Sequence, residues 1–177
     1  MTYDLAIGDR TYSSWSLRGW LPFAKWDIPV RTHTALLYTD QVQELLKQFA
    51  PARLVPAMKK DGIVVHDTLA IAEALAEAHP DKPMWPADPT LRAKARSMTA
   101  EMHSGYGALR AACPMNLAHS WVGFEPSDDV LADCARIETL WADALAVSGG
   151  PWLCGDYSIV DAFFAPVAAR FATYRLP

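Results

Sequence analysis

Residues 55–78 have the sequence VPAMKKDGIVVHDTLAIAEALAEA, and this stretch decides the fold of the first half of the chain. Asp61-Gly62 separates two short runs, Pro56–Lys60 and Ile63–His66, and this dipeptide is a strong signal for a two-residue hairpin turn. The Ala-rich run Thr68–Ala78 has the apolar spacing of an amphipathic helix. The stretch therefore predicts an antiparallel hairpin that is followed directly by a helix.

Upstream of the hairpin, strand and helix patterns alternate. The short apolar run Tyr3–Gly8 predicts a strand, and the apolar residues of Ser14–Lys25 recur at helical spacing. Val30–Leu36 alternates as a strand does, and Gln41–Phe49 is helical again. The resulting order is β-α-β-α-β-β-α, in which helices join parallel strands and a hairpin closes the sheet. We therefore predict an α/β sandwich over residues 1–78.

A proline-rich segment, HPDKPMWPADP at residues 79–89, divides the chain. Proline at every third position excludes both a helix interior and a central strand, so we interpret the segment as a stiff linker. Beyond it, three runs have helical periodicity: Leu91–Ala112, Asp128–Ala146 and Ile159–Tyr174. Residues 90–177 are therefore predicted to form an all-α bundle.

Composition narrows the function. The 177 residues are 51% hydrophobic and 20% charged, which is typical of a folded globular protein, and the net charge of −4 argues against nucleic-acid or membrane partners. No apolar run reaches bilayer length, and the N-terminus lacks a secretion signal. The three cysteines are far apart, and the five histidines show no metal-ligand spacing. We expect a cytoplasmic protein without a metal site.

Two predicted helix starts carry polar side chains that could bind a ligand. Ser13 and Ser14 lie where unpaired N–H groups favour a nearby thiolate, and a hydroxyl there can donate to a thiol's sulfur. At Asp67-Thr68, the hydroxyl and the helix N–H groups can hold a carboxylate while the Asp pairs with an ammonium group. Plain helix capping explains each of these residues equally well and is the commoner role.

Val55-Pro56 opens the third predicted strand. A cis peptide bond at this point would turn the Val55 backbone outward, where an extended ligand could pair with it. The alternative is an ordinary trans proline at a strand start, which base rates favour.

In order and spacing, these features resemble the glutathione S-transferase family over essentially the whole chain. Residues 13–18, SSWSLR, resemble the Ser-type turn in which the catalytic Ser precedes an Arg by five residues. Val55-Pro56 matches the family's cis-Pro element, and Asp67-Thr68 with the following Leu-Ala-Ile resembles its γ-glutamyl-binding signature. Residues 155–161, GDYSIVD, resemble the capping box of its sixth helix. The sequence looks like a bacterial, Ser-type, distantly zeta-like member.

The resemblance implies a thioredoxin-like N-terminal domain, a helical C-terminal domain and glutathione as co-substrate. Ser13 would be catalytic and would donate its hydroxyl proton to the glutathione sulfur. The remaining glutathione contacts would come from Ser14, Arg53, Leu54, Val55, Pro56, Asp67 and Thr68. An apolar electrophile would contact Trp15, Met102 and Tyr106. The last two are four residues apart and are expected to share one helical face, and ordinary core explains them equally well. A cytoplasmic, detoxifying homodimer is implied as well.

Two departures from the family pattern bear on the chemistry. Arg53-Leu54 stands where the family often has Gly-Lys, so the cation for the glycyl carboxylate is missing or is Arg53. Trp15 stands where the zeta class, maleylacetoacetate isomerase, has Cys, and this disfavours the isomerase reaction.

Three functions follow from the resemblance. The leading hypothesis is conjugation of the glutathione thiolate to an electrophile. The alternatives are glutathione-dependent reduction of a disulfide or peroxide, and a non-catalytic binding or assembly module. We also expect further helices beyond the one that ends near Tyr174.

Overall fold

A computed structural model describes residues 2–177, and over this range the chain forms two compact units that divide between Lys82 and Pro83. The division falls inside the predicted linker. The first linker residue, His79, is hydrogen-bonded through Nε2 to the Tyr3 hydroxyl at 3.0 Å in the first unit. Met84 is buried in the second unit, where its carbonyl oxygen accepts from the Ile159 N–H at 2.9 Å. The linker residues therefore pack onto the two units rather than forming a free spacer.

The first unit has the predicted β-α-β-α-β-β-α order. Its elements are β1 (Tyr3–Ile7), α1 (Ser14–Lys25), β2 (Val30–Thr34), α2 (Asp40–Lys47), β3 (Ala57–Lys60), β4 (Ile63–His66) and α3 (Thr68–Ala78). The sheet order is β2-β1-β3-β4, with β1 and β2 parallel and β3 antiparallel to both β1 and β4. The α/β prediction for this half is confirmed, and the boundaries differ by a residue or two.

Both faces of this sheet are covered by helices. Ala6 of β1 and Ala57 of β3 form a buried cluster with Leu46 and Phe49, which belong to α2 and the turn that follows it. Helices α1 and α3 pack against each other, and α3 buries Ile71 and Leu75 completely. Successive side chains of a strand point to opposite faces, so Ala6 faces this cluster and its buried neighbours Leu5 and Ile7 face the other side of the sheet.

In the second unit, residues 83–177, the regular elements are all α-helices, apart from an isolated β-bridge between Trp152 and Gly155. Its elements are α4 (Pro89–Ser104), α5 (Gly107–Ala112), α6 (Asp128–Ser148) and α7 (Ile159–Tyr174). Helices α4 and α7 pack together, as do α5 and α6, around one buried apolar cluster. Residues 2–177 contain no helix that is both long enough and apolar enough to cross a bilayer.

The prediction of one continuous helix over Leu91–Ala112 is wrong. The chain leaves α4 at Gly105, which is extended, and Tyr106 adopts the left-handed conformation with φ +59° before α5 begins. A Cβ at Gly105 would lie 2.8 Å from the Glu101 carbonyl oxygen, so this helix end requires glycine. The break gives the chain seven helices over residues 2–177, and the helix expected to be the sixth is α7.

Candidate active site

Three polar segments of the first unit meet at one edge of its sheet. Ala6, near the end of β1, is paired with Ala57 at the start of β3, and Ala57 is paired with His66 at the end of β4. The turn after β1, the residues before β3 and the residues after β4 therefore share this edge. These are the segments that contain Ser13, Val55-Pro56 and Asp67-Thr68.

Gly19 of α1 allows close packing at this edge. A Cβ on Gly19 would lie 2.7 Å from Pro56 Cγ and 3.9 Å from Thr68 Cγ2. A larger residue would push α1 away from Pro56, because the first of these distances is shorter than any real van der Waals contact. The glycine thus holds α1, Pro56 and the start of α3 together.

Ser13 is the N-cap of α1. Its Oγ accepts from the Ser16 backbone N–H at 3.3 Å and donates to Ser16 Oγ at 2.8 Å, and the Ser13 residue is only 6% exposed. Capping, the alternative left open by the sequence, is therefore a real role of this serine. Capping uses a lone pair and leaves the hydroxyl proton able to turn to another acceptor. The catalytic role of Ser13 stays a prediction.

Ser14 and Trp15 begin α1 with partly buried side chains. The Arg18 guanidinium, itself buried, lies 4.7 Å from the centre of a Trp15 ring. This cation–π contact fixes the Trp15 indole against its own helix. The Arg in the Ser-to-Arg spacing that carried the resemblance is therefore a buried cation in the second turn of α1.

The Val55–Pro56 peptide bond is cis, as the resemblance implies. Val55 is half-buried and Pro56 is buried, whereas Arg53 and Leu54 are exposed, Leu54 by 78%. The structure thus places the Val55 backbone beside the sheet edge and the two preceding side chains in solvent. Their contacts with glutathione stay predictions.

The start of α3 has two unusual features. The Asp67 carboxylate accepts from the Leu69 N–H at 2.8 Å, and Asp67 has φ +78°, a conformation that costs a residue with a side chain about 1 kcal/mol or more. Thr68 is 2% exposed, and its buried Oγ1 has no hydrogen-bond partner among residues 2–177. A hydroxyl in this state costs about 1–3 kcal/mol. The Thr68 hydroxyl and the N–H groups at the start of α3 are hydrogen-bond donors that could bind a carboxylate.

Met102 and Tyr106 lie in the core of the second unit. Met102 is fully buried, and Tyr106 donates its hydroxyl to Glu101 Oε1 at 3.0 Å while burial raises the pKa of the phenol. The expectation that they share one helical face is wrong, because Tyr106 lies beyond the end of α4. This packing favours the core alternative, and their contact with an electrophile stays a prediction.

The cysteines are buried free thiols, and burial raises the pKa of Cys113 and of Cys154 to about 11. Both remain protonated near neutral pH and are therefore poor nucleophiles. Among residues 2–177, no three His, Cys, Asp or Glu side chains lie close enough together to hold a metal ion.

Sequence reasoning missed two residues of this edge, Ser16 and Gly19. Ser16 lies three positions after the Ser13 cap, where its backbone N–H reaches the cap oxygen. Gly19 is a lone glycine within a helical pattern, which is a known sign of close packing. Both signals were present in the sequence, but neither identified the partner that the residue contacts.

Comparison with known families supports the resemblance. The family profile described as "Glutathione S-transferase, N-terminal domain" matches residues 12–78, which run from the turn before Ser13 to the end of α3. The first unit is a glutathione S-transferase N-terminal domain. The matched residues include Ser13, Val55-Pro56 and Asp67-Thr68.

The curated relatives of this chain described below are both named as maleylacetoacetate isomerases. The "Probable maleylacetoacetate isomerase" of Caenorhabditis elegans is 36% identical over 96 residues, which cover 54% of this chain and 44% of the relative. The "Probable maleylacetoacetate isomerase 1" of Drosophila melanogaster is 30% identical over 140 residues, which cover 69% of this chain and 55% of the relative. The chain spans about half the length of these relatives.

Solved structures agree on the fold of this chain. A glutathione transferase homolog from Burkholderia, determined with bound glutathione, has a TM-score of 0.73 at 20% identity and covers 97% of this chain and 82% of its own. A diazinon-metabolizing glutathione S-transferase from the silkworm Bombyx mori has a TM-score of 0.78 at 15% identity. The match covers 100% of this chain and 84% of the silkworm protein. The thioredoxin-like domain followed by a helical region is thus confirmed.

Proposed function

We propose that this chain is a glutathione S-transferase, which binds glutathione at the sheet edge of its first unit and activates the thiol for attack on an apolar electrophile. The observation that carries the proposal is the buried Thr68 hydroxyl at the start of α3, which has no partner among residues 2–177. Such a group is retained at a cost unless a ligand satisfies it. The γ-glutamyl carboxylate of glutathione supplies the acceptor that this hydroxyl and the helix N–H groups need.

The α-carbon that carries this carboxylate also carries an ammonium group, and Asp67 is the acid that would meet it. One carboxylate oxygen of Asp67 caps α3 through the Leu69 N–H, and a carboxylate has acceptor capacity for more than one donor. Because Asp67 is exposed, a ligand can reach it without displacing core residues. Asp67 and Thr68 would then hold both charges of an amino-acid head group.

The rest of the tripeptide would lie along the residues before β3. The Val55 backbone would pair with the cysteinyl unit as a short added strand next to Pro56. Arg53 is an exposed cation that could meet the glycyl carboxylate, with Leu54 beside it. Ser14, at the first position of α1, would contact the ligand on the opposite side of the thiol.

Ser13 would act on the sulfur. Its hydroxyl proton would turn from Ser16 to the sulfur, and the N-terminal end of α1 would add its positive potential. Both effects favour the thiolate, so the thiol's pKa would fall from about 8.5 toward neutral pH and its proton would leave to solvent. The thiolate would then attack the electrophile. Trp15, Met102 and Tyr106 stay as predicted contacts of that electrophile.

A second candidate reaction is isomerisation of maleylacetoacetate, which the names of the curated relatives favour. The same thiolate could add to a conjugated double bond and be eliminated after rotation, so both reactions need the same activated sulfur. Trp15 in place of the zeta-class Cys argues against this candidate. Reduction of a peroxide or mixed disulfide would again use the glutathione sulfur.

The test is turnover of chloronitrobenzene, maleylacetoacetate and a hydroperoxide with glutathione, in the unaltered protein and in Ser13→Ala. We expect conjugation to lead and Ser13→Ala to lose roughly tenfold to hundredfold activity, the value of a hydrogen bond to a charged group. Ser158→Ala removes the N-cap serine of α7 and should leave turnover unchanged. Unchanged turnover in Ser13→Ala would remove Ser13 from the mechanism.

Failure to bind glutathione at millimolar concentration would instead favour the non-catalytic module. A homodimer and a cytoplasmic location remain expectations of the family resemblance. Analytical ultracentrifugation of the purified chain tests the former: a mass near twice the 19.5 kDa of the chain is expected, and a monomer would contradict it.

A further inference from the structure

A third serine, Ser16, lies behind Ser13 in the first unit. Its Oγ is 2.8 Å from Ser13 Oγ and 2.9 Å from the backbone nitrogen of Gly8. Ser13 and Ser16 are 6% and 2% exposed, so solvent hardly reaches them. The Gly8 N–H, the Ser16 hydroxyl and the Ser13 hydroxyl thus form a buried hydrogen-bonded row that begins just after β1. We refer to it below as the Gly8–Ser16–Ser13 row.

The direction of the first bond in this row is fixed, whereas the second can reverse. A backbone N–H only donates, so Ser16 Oγ accepts from Gly8 and keeps its own proton for another bond. Each hydroxyl rotates about its Cβ–Oγ bond, so the bond between the serines can run either way. In the structure, Ser13 donates to Ser16.

We propose, building on the proposed function, that Ser16 is a positioning residue that reverses this bond when glutathione binds. Ser13 then turns its proton to the sulfur, and Ser16 donates its hydroxyl proton to Ser13 Oγ. Ser13 Oγ also keeps the Ser16 backbone N–H, which lies 3.3 Å away. In this arrangement each hydroxyl of the row both accepts and donates, and the thiol proton leaves to solvent.

The reversed row makes Ser13 a stronger donor. Hydrogen bonds in series polarise one another, most of all in buried surroundings. Without the Ser16 hydroxyl, Ser13 would still cap α1 through the backbone but would accept one bond fewer. We therefore expect the pKa of the bound thiol to rise by roughly half a unit to one unit in its absence, since one neutral hydrogen bond has about that value.

The test is a pH titration of the thiolate absorbance of bound glutathione. Ser16→Ala should raise the midpoint by roughly half to one pH unit, a threefold to tenfold loss of thiolate below the midpoint. Ser16→Thr keeps the hydroxyl and should restore the midpoint. Thr99→Val removes another buried hydroxyl, one that donates to the Ala95 carbonyl at 2.8 Å, and should leave the midpoint unchanged.

Ser16→Ala leaves the buried Gly8 N–H without its acceptor, so a second measurement uses the unaltered protein. The Gly8 amide proton is followed by NMR across pH with bound glutathione and with bound S-methylglutathione, whose sulfur cannot ionise. We expect the Gly8 resonance to titrate with the thiol midpoint in the first complex and to stay constant in the second. A merely structural Ser16 would leave the resonance constant in both complexes.

The outcomes separate this inference from the proposed function. Two results overturn the role of Ser16 and leave the proposed function standing. One is a midpoint that rises in Ser13→Ala but not in Ser16→Ala, and the other is a Gly8 resonance that does not change as the thiol ionises. A bound thiol that keeps its solution pKa in the unaltered protein overturns both.

Discussion

Two helix starts, one in each unit, are built from similar residues and differ in how their polar groups are satisfied. At the start of α7, the buried Asp161 carboxylate accepts from the Ser158 N–H at 2.8 Å and from the Leu153 N–H at 3.0 Å. At the start of α3, the equally buried Thr68 hydroxyl has no partner among residues 2–177. The polar groups at the start of α7 are satisfied by residues of the same unit, and we call it the closed start. The start of α3 has a donor that no residue in 2–177 accepts from, and we call it the open start.

We interpret the difference as one between a folding element and the proposed binding element. A closed N-terminus contributes to stability and offers nothing to a ligand, since its donors are occupied. An unsatisfied hydroxyl lowers stability, and the left-handed Asp67 beside it adds strain. Costs of this kind are typical of sites where a ligand completes the structure. Substitutions at the two starts should therefore change different measured quantities.

The largest expected effect is on stability at the closed start. Asp161→Ala leaves the Ser158 and Leu153 N–H groups without their acceptor, and we expect the free energy of unfolding to fall by about 2–5 kcal/mol. Urea denaturation followed by circular dichroism measures the loss. Asp156→Ala, an exposed acid of the same loop, is the control and should change stability little. Weaker glutathione binding in folded Asp161→Ala would contradict the interpretation of the start of α7 as a folding element only.

The next effect is on binding at the open start. Thr68→Val keeps the shape of the side chain but removes the hydroxyl, so glutathione affinity should fall roughly tenfold or more. Stability should stay equal or rise, because an unsatisfied group is lost. Thr99→Val loses a satisfied hydroxyl and should show the reverse: lower stability and unchanged affinity. Calorimetric titration and urea denaturation of both variants decide between these patterns.

The contrast between the helix starts also shows what sequence alone could reveal. The order of elements in the first unit followed from alternating apolar patterns and the Asp61-Gly62 turn, which are local signals. The capping box at Ser158-Asp161 was predicted for the same reason, because its two members are three residues apart. Local spacing therefore predicted the closed start correctly.

Local spacing could not predict which polar groups would stay unsatisfied. Thr68 lies near Gly19, which comes from a distant part of the sequence, and spacing along the chain does not reveal this proximity. The break at Gly105 was missed because helical periodicity continues across it, although a glycine there was a visible signal. The burial of Met102 and Tyr106 in one core likewise depends on contacts between helices.

A smaller effect should come from the charge of Asp67. Asp67→Asn preserves the N-cap and tolerates the left-handed conformation, so stability should change by less than about 0.5 kcal/mol. Loss of the charge that faces the ligand ammonium should weaken glutathione binding roughly twofold to fivefold, the value of an exposed ion pair. Titrations at low and high salt test this, since the deficit should shrink as salt screens the pair. A deficit that is independent of salt would contradict the assigned contact.

The smallest effect is the pH dependence of the closed start. Burial raises the pKa of Asp161 above its ordinary value of 3.8, although three backbone N–H groups and the Ser158 hydroxyl oppose the shift. The folded chain therefore holds this proton more tightly than the unfolded chain does. Stability should fall as pH rises from 3.8 through the raised pKa, relative to Asp161→Asn. Urea denaturation of both proteins across this interval measures the difference, and a relative gain in stability would contradict the sign.

A crystal structure of the chain with bound glutathione is the most direct test of the proposed binding site at Ser13 and Thr68. We predict the γ-glutamyl carboxylate within roughly 3 Å of Thr68 Oγ1 and the sulfur within hydrogen-bonding distance of the Ser13 hydroxyl. Glutathione bound away from the start of α3, or a sulfur in contact with neither Ser13 nor Ser14, would contradict the account.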